Sequence, residues 1–566
     1  MTTLRPVRGR AASLVAALLA AGLTAALALA GPVQAGPSDS RQAGRPIPAA
    51  TPEARPNIVL VLMDDASMDL VASMAQAHEM AARGASYRNA FVVDSLCCVS
   101  RTVILTGQYP HQTGVLTNTA GDEGAPRGGW TAFTVYGNGP RAVNVALHEA
   151  GYTTGFVGKF LNQYRPPGGG GAPVPPGWSE FGPLLEGAYD GWDFNYGSSQ
   201  DGAAMSLAHQ GAPAATASDS RKDAAYTGSF IQRQALDFLA RHHDDTAPYF
   251  LEIAVYAPHD RATAHPYYAQ TPQFPAMYRD RPSPAQPDGN CGPVPCTAVK
   301  LVDLPGYADP RGDNRPRRAD GSLAPTWQRT ALLPPAQARR YLRQRARMVQ
   351  SVDRLLERVL ASTDADTYVI LTSDNGFHLN QWGMARGKGT AYDSDIHVPL
   401  VVVGPGVAPG VREGAVSNLD LAPTLEQLAG LPEASYRSGT SFAPSFTDPS
   451  ASGHRYVFIE HSWSGEQPGD PDAADAELAT IPTYVAVRSE DGLLVRYAED
   501  RRPDHTSYAW ELYDYATGTG EATNVFGTPV AAALQQELRA RLRAFLACRT
   551  ATRDDAVSQE CRRVGE

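Results

Sequence analysis

Four apolar runs in this sequence end on side chains that can hold an ion or carry a proton. NIVLVLM (57–63) runs into Asp64-Asp65, TYVILTS (367–373) into Asp374-Asn375, TTGFVG (153–158) into Lys159, and YFLEIAVYAP (249–258) into His259. Asp64, Asp65, Asp374 and Asn375 offer oxygen ligands, which suit a hard cation, Ca²⁺ or else Mg²⁺, rather than Zn²⁺. Three carboxylates held together also need such a cation to offset their repulsion. With that cation, Arg101, Lys159 and Lys388 suit a tetrahedral anion, since guanidinium grips two oxygens and ammonium acts as a point charge. His111 and His259 are candidates for proton transfer. Taken singly, each of these has a plainer reading, because Asp and Asn favour turns and a lone Lys or His is ordinarily solvated or packed. Their placement after strands and motifs is what points to a site.

The elements that must position them are legible as well. Asn57–Met63, Tyr152–Val157, Tyr249–Tyr256, Thr367–Thr372 and Val398–Val403 are continuous apolar runs, as expected of parallel strands covered on both faces. Arg340–Ser362 carries Leu342, Met348, Val349, Val352, Leu355, Leu356 and Val359 at helical spacing. A short helix is expected at Ser100–Leu105. The fold class is therefore α/β, a doubly wound, mostly parallel sheet flanked by helices, in which ligands bind beyond the carboxyl ends of the strands. Residues 191–225 and 282–335, rich in Gly, Ala, Pro and Asp, read as long surface insertions. After Pro449 the pattern changes to short strands at Tyr456–Glu460, Thr483–Val487 and Leu493–Tyr497, with Asp491-Gly492 as a hairpin turn and a helix at Val530–Cys548. This predicts a catalytic domain over 56–448 and a smaller α+β subdomain over 449–566.

Arg5, Arg8 and Arg10, an Ala/Leu-rich stretch and Val33-Gln34-Ala35 read as an export signal over residues 1–35, cleaved near Ala35, followed by a flexible leader to residue 55. The expected location is secreted or extracytoplasmic, with no stable membrane anchor. A net charge of −10 without a long basic run argues against a nucleic-acid partner. Export permits disulfides. Of the six cysteines, Cys291 and Cys296 flank a GPVP turn and Cys548 and Cys561 enclose a polar tail. Two local bridges are the simplest pairing, although the sequence leaves other connectivities open. That pairing leaves the adjacent Cys97 and Cys98 as thiols.

Cys97-Cys98-Val99-Ser100-Arg101 followed by Leu105-Thr106-Gly107 resembles the signature of the sulfatase family of the alkaline phosphatase superfamily. NIVLVLMDD, GKFLNQY, APH, SDNG, GKGTAYDSDIHVPLVVVGPG and ELYDY extend the resemblance from Asn57 to about Phe526. CC-x-SR, TGQYPH and GKFLNQY look most like the N-acetylglucosamine-6-sulfatase branch. The resemblance implies that a separate formylglycine-generating enzyme oxidises Cys97 to formylglycine. Its hydrate attacks sulfur, displaces the alcohol and then expels sulfate, so that no stable enzyme ester has to be hydrolysed. It also implies Asp64, Asp65, Asp374, Asn375 and modified Cys97 as ligands of Ca²⁺, Arg101 orienting the hydrate, and His111 taking its proton. Lys159 and Lys388 would bind the sulfate oxygens of a small-molecule or glycan ester, and His259 would protonate the leaving alcohol. Two positions depart from the family pattern. Val99 stands where Pro or Ala is usual, and Leu161 stands where many members carry His, with Asn162 as a polar neighbour. A phosphodiesterase or phosphonate monoester hydrolase on the same scaffold, and a non-catalytic sulfated-glycan-binding relative, are the competing readings.

Overall fold

Five of the apolar runs meet in one ten-stranded sheet. The computed structural model describes residues 55–121, 126–165, 174–261, 267–268, 273–309, 313–328, 330–465, 472, 478–500, 506–549 and 555–566. The expected export signal and all of the leader before residue 55 lie outside them. The strand order is Gly410–Arg412, Ala85–Tyr87, Leu400–Val403, Thr367–Ser373, Asn57–Met63, Tyr249–Ala254, Thr153–Lys159, Glu180–Leu184, Phe194–Ser198 and Ser206–Gln210. From Thr367–Ser373 to Glu180–Leu184 all pairings are parallel. Asn57–Met63 shows why these runs are continuous. Ile58, Leu60 and Leu62 belong to the core on one face and Val59, Val61 and Met63 to the core on the other, because successive side chains of a strand point to opposite faces.

Three expectations are corrected here. Leu400–Val403 runs antiparallel to Thr367–Ser373 rather than parallel. Of the residues between them only Asp393–Ile396 form a helix, of four residues, too short for the crossover that a parallel strand needs. Part of the expected insertion over 191–225 is sheet, since Phe194–Ser198 and Ser206–Gln210 add an antiparallel edge. The long helix begins earlier than expected, at Pro335, and ends at Ser362. Proline suits a first helical position because its missing N–H has no partner to lose there.

A second, five-stranded antiparallel sheet has the order Tyr456–His461, Tyr484–Ser489, Gly492–Ala498, Tyr508–Asp514 and Arg317–Arg318. The last strand comes from the 282–335 insertion. The hairpin turn is Glu490-Asp491, with Gly492 already paired to Ser489. A Cβ at Gly492 would sit 2.3 Å from the Tyr513 carbonyl oxygen, so close approach is what requires glycine there. Leu538, Leu542 and Phe545 of the helix Ala532–Cys548 cover this sheet, and Phe545 stacks on Phe458 with ring centroids 4.4 Å apart. Cys291–Cys296 and Cys548–Cys561 are disulfides, and Cys97 and Cys98 are buried thiols. Among the described residues no helix is long and apolar enough to cross a membrane.

Glu511 ties the second sheet to the site-bearing loops. Its carboxylate accepts hydrogen bonds from Tyr392 (2.8 Å), Tyr513 (3.0 Å) and Tyr497 (3.1 Å) on one oxygen and from Trp327 (3.3 Å) on the other. Burial pushes its pKa from 4.5 up to about 7, against the pull of those donors. A carboxyl raised in this way binds more protons folded than unfolded, so stability falls as pH climbs from about 4.5 through 7. The stability advantage of the wild type over Glu511→Gln should therefore shrink between pH 5 and pH 8, by on the order of 3 kcal/mol. Thermal melts of both proteins across that range check it, and a difference that does not change with pH contradicts it.

Candidate active site

The carboxyl edge of the parallel strands brings most of the predicted groups into one buried cluster. Asp64 and Asp65 follow Asn57–Met63, Asp374 and Asn375 follow Thr367–Ser373, and Lys159 ends its own strand. Cys97 is the first residue of the helix Cys97–Thr106, all ten of whose residues are buried. The expected helix at Ser100–Leu105 is thus longer by three residues at its start. Leu96 enters it in extended conformation, and Gly107, at φ 61°, closes it by donating its N–H to the Val103 carbonyl at 2.7 Å. The Cys97 side chain therefore sits at a helix N-terminus, which favours negative charge.

The contacts around Cys97 are short. Lys388 Nζ lies 2.7 Å from Cys97 Sγ and 2.6 Å from Asp65 Oδ1. Cys97 Sγ lies 3.6 Å from Asp64 Oδ1, and Lys159 Nζ donates to Asp64 Oδ2 at 2.6 Å. Arg101 donates from Nε to Asp374 Oδ2 and from Nη1 to the Lys159 carbonyl, both at 2.8 Å. Its Nη2, 4.0 Å from Asp64 Oδ1, makes no hydrogen bond among the described residues. Asn375 donates to Asp65 Oδ1 at 2.6 Å. Asp65 is a non-glycine residue at φ 63°, a strained conformation that surrounding contacts must enforce. Here its N–H donates to Asp374 Oδ1 at 3.2 Å and its carbonyl accepts from Arg345 at 2.6 Å.

Burial alone would raise the carboxylates. For Asp64 the cations Lys159, His259, Arg101 and Lys388 outweigh it and hold the group well below the usual carboxylate range. Asp374, facing mainly Arg101, remains raised to about 6. Burial pushes the Cys97 thiol up to about 12 despite Lys159 and Lys388 beside it. A thiol in that state is protonated at neutral pH and a weak nucleophile.

A divalent cation fits this donor set. Asp64, Asp65, Cys97 and His259 each offer a ligand atom within 4.8 Å of the others. Asp65 Oδ2 and Asn375 Oδ1, both oxygen acceptors, are buried with no hydrogen-bond partner among the described residues. Oxygen donors in the majority match a hard cation.

His259 joins the cluster, with Nε2 3.5 Å from Asp65 Oδ2 and Nδ1 2.7 Å from the Asp260 carbonyl oxygen. His111 is placed elsewhere. Its Nδ1 lies 2.9 Å from Glu460 Oε2, and its ring packs on Tyr109 and Phe545. Glu460 in turn pairs with Arg549 at 2.6 Å. TGQYPH thus delivers His111 to the seam with the second sheet rather than to the Cys97 cluster.

Three participants escaped the sequence reading. Asp472 comes from PGDPDAADAE, a run whose composition says only loop. Its Oδ1 lies 2.8 Å from His259 Nε2 and 3.1 Å from Lys388 Nζ, and its Oδ2 is 2.5 Å from Asn118 Nδ2 and 3.9 Å from Cys97 Sγ. Asn118 also fixes the start of the Cys97 helix by accepting from the Cys98 N–H at 3.1 Å. Tyr189 sets its ring edge-on to His259, with centroids 4.7 Å apart, and lies under Lys159 Nζ at 5.0 Å. No periodicity or motif marks any of the three.

A family model described as sulfatase matches residues 56–431, and one described as N-sulphoglucosamine sulphohydrolase, C-terminal, matches residues 384–547. An extracellular sulfatase SULF-1 homolog of Drosophila melanogaster is 29% identical over 405 residues, 69% of this chain and 31% of its own length. The chain likewise spans 49% of a putative extracellular sulfatase Sulf-1 homolog of Caenorhabditis elegans. The N-acetylglucosamine-6-sulfatase of Homo sapiens is 27% identical over 84% of this chain and 81% of its own length. Among solved structures, a protein in complex with its substrate D-glucosamine-2-N,6-O-disulfate superposes with a TM-score of 0.60 at 19% identity, over 89% of this chain and all of the other. A phosphonate monoester hydrolase from Silicibacter pomeroyi superposes at 0.56 with 21% identity, over 86% and 96%.

Asp472 places a carboxylate among the donors that an oxyanion would use. In Asp472→Ala, inorganic sulfate should bind about tenfold more tightly, a change of about 1.4 kcal/mol. Isothermal titration calorimetry reads this, and unchanged or weaker binding shows that Asp472 does not compete.

Proposed function

The chain belongs to the sulfatase family, and on that premise we propose that it hydrolyses sulfate esters of sugars, such as N-acetylglucosamine 6-sulfate, or of aryl alcohols, using a formylglycine made from Cys97. The observation that carries this reading is the setting of Cys97. It occupies the first turn of a buried helix with Lys388, Asp64 and Asp472 around its sulfur. A formylglycine at this position supplies a hydrated aldehyde whose hydroxyl can attack sulfur and whose second hydroxyl allows sulfate to leave.

The remaining roles follow from the chain's own side chains. Asp64, Asp65, Asp374 and Asn375, with residue 97, are the proposed ligands of a Ca²⁺ ion, or of Mg²⁺, which offsets their charge and draws electron density from the ester oxygens. Lys159 and Lys388 hold sulfate oxygens. Arg101 orients residue 97 with the one nitrogen its other partners leave over. His259, braced at Nδ1 by the Asp260 carbonyl, presents Nε2 to the leaving alcohol and donates a proton there. His111 is left out of this scheme, because its ring is engaged by Glu460 and Phe545. The export-signal pattern expected over residues 1–35 and the likeness to extracellular sulfatases support a secreted or extracytoplasmic location, and the scheme calls for a formylglycine-generating enzyme to act on the chain during maturation.

Mass spectrometry of the peptide that contains Cys97, from protein made in its native host, should show a loss of about 18 Da, the difference between thiol and aldehyde. Intact thiol throughout defeats the mechanism. Cys97→Ala should lower sulfate release by a factor on the order of 10⁴–10⁶, the scale on which losing a covalent nucleophile acts. Phosphate diesters and phosphonate monoesters assayed in parallel should turn over more slowly than sulfate esters, and a strong phosphate preference would replace this reading with the phosphonate hydrolase one. Chelation should also lower the melting temperature of the converted enzyme, with recovery on adding Ca²⁺.

A further inference from the structure

A cavity of about 290 Å³ lies at the seam with the second sheet, and Arg496, Arg549, Glu460, His461, Asp94 and Tyr508 belong to its wall. None of Asp64, Asp65, Cys97, Lys159 and Lys388 lines it. Arg496 sits in the strand Gly492–Ala498, between Val485 and Trp510 on the neighbouring strands. It shares a face with Leu494, because strand side chains alternate. That is the face which the helix Ala532–Cys548 covers, and Arg549 follows the last residue of that helix. Two guanidinium groups are thereby brought to one cavity from elements distant in sequence.

Their charges are unequally met. Arg549 lies 2.6 Å from Glu460, which also takes His111 at 2.9 Å. His111 and Arg549 overcome burial and hold Glu460 down to about 2. Arg496 has no such partner. It is half-buried and makes no hydrogen bond or ion pair among the described residues, and its guanidinium lies 4.4 Å from the centre of the Tyr508 ring. Burial and the neighbouring Arg549 lower its pKa, and no carboxylate among the described residues opposes them. Asp94 and His461 do not restore the balance. Burial, with Glu460 adding to it, pushes Asp94 well above the carboxylate range, toward its neutral form. Burial, with Arg127 adding to it, lowers His461 to about 3, so that its ring is neutral at pH 7. The wall thus carries two guanidinium charges against the single carboxylate of Glu460. A partly buried charge without a counterion is costly, and an entering anion would relieve that cost.

We propose that this cavity binds a tetrahedral oxyanion, sulfate or its phosphate analogue, between Arg496 and Arg549, as a site separate from the Cys97 cluster. Each guanidinium can give two parallel N–H donors to a pair of oxygens, and the Tyr508 ring supports the Arg496 plane from the other side. Free sulfate and a sulfate group carried on a sugar present the same oxygens to these donors. The inference does not depend on the sulfate-ester reading, since it uses none of the cluster's residues.

Equilibrium dialysis of the cation-loaded, converted enzyme against radiolabelled inorganic sulfate counts the anions bound per chain. Arg496→Gln should bind one anion fewer than the wild type, with that site weakened about tenfold or more. Arg496→Lys should regain the anion more weakly, because an ammonium keeps the charge and loses the fork. Equal binding to wild type and Arg496→Gln overturns the proposal. Wild-type crystals soaked in selenate provide a measurement that needs no variant: an anomalous peak within hydrogen-bond reach of both guanidinium groups supports the site, and its absence there overturns it. A 6-O-sulfated disaccharide is then titrated against the label. Displacement from the Arg496 site at lower concentration than free sulfate assigns the site to sugar-borne sulfate, and displacement only at higher concentration assigns it to the free anion. Sulfate release by Arg496→Gln should match the wild type. Loss of release together with the anion places that anion in the cluster and overturns the proposal, whereas no release from either protein counts against the ester reading alone.

Discussion

Charge compensation without water is the constraint on which this structure turns. Asp64, Asp65, Asp374 and Asp472 are each essentially unexposed, and so are Lys159, Lys388, Arg101 and His259. A buried charge with no partner is costly enough that the group would neutralise instead. Here every carboxylate faces at least one cationic side chain, and the lysines are in turn held well above their ordinary pKa by carboxylates that overcome burial. Removing one member leaves its partners as uncompensated buried charges. The cluster consequently behaves as a unit, and a divalent cation and a sulfate dianion are the two kinds of charge whose entry it is suited to balance.

The parallel sheet makes such a cluster attainable. Its central strands end at one rim, so groups hundreds of residues apart in the chain, such as Asp65 and Asn375, come within hydrogen-bond range. Precision is then supplied by backbone. The left-handed conformation of Asp65, the helix start at Cys97 and the Asp260 carbonyl behind His259 each fix one side chain.

The second sheet contributes more than cover. Glu511 gathers hydroxyls from Tyr392, Tyr497 and Tyr513, and Tyr484 donates to the Gly389 carbonyl at 3.0 Å, next to Lys388. Glu460 holds His111 and Arg549 together. The Tyr392 and Tyr484 bonds pass from the C-terminal strands into the loop that carries Lys388, so the position of that ammonium depends on residues far in sequence from the motifs at the front of the chain.

Much of this was legible in the residues themselves. Continuous apolar runs identify a buried parallel sheet because both faces of such strands are covered, and polar residues directly after them fall on the binding rim. Asp64, Asp65, Lys159, His259, Asp374 and Asn375 were singled out for that reason, and Cys97, Arg101 and Lys388 through the motifs that resemble the sulfatase signature. The sequence also allowed two local disulfides, since short separations make them geometrically simple. What it could not convey were facts set by three-dimensional closure. The direction of Leu400–Val403 depends on the absence of a crossover helix. The removal of His111 to the Glu460 seam and the entry of Asp472 and Tyr189 depend on which loops fold back over the rim. Loop residues carry no periodic signal, and their neighbours are chosen by tertiary packing alone.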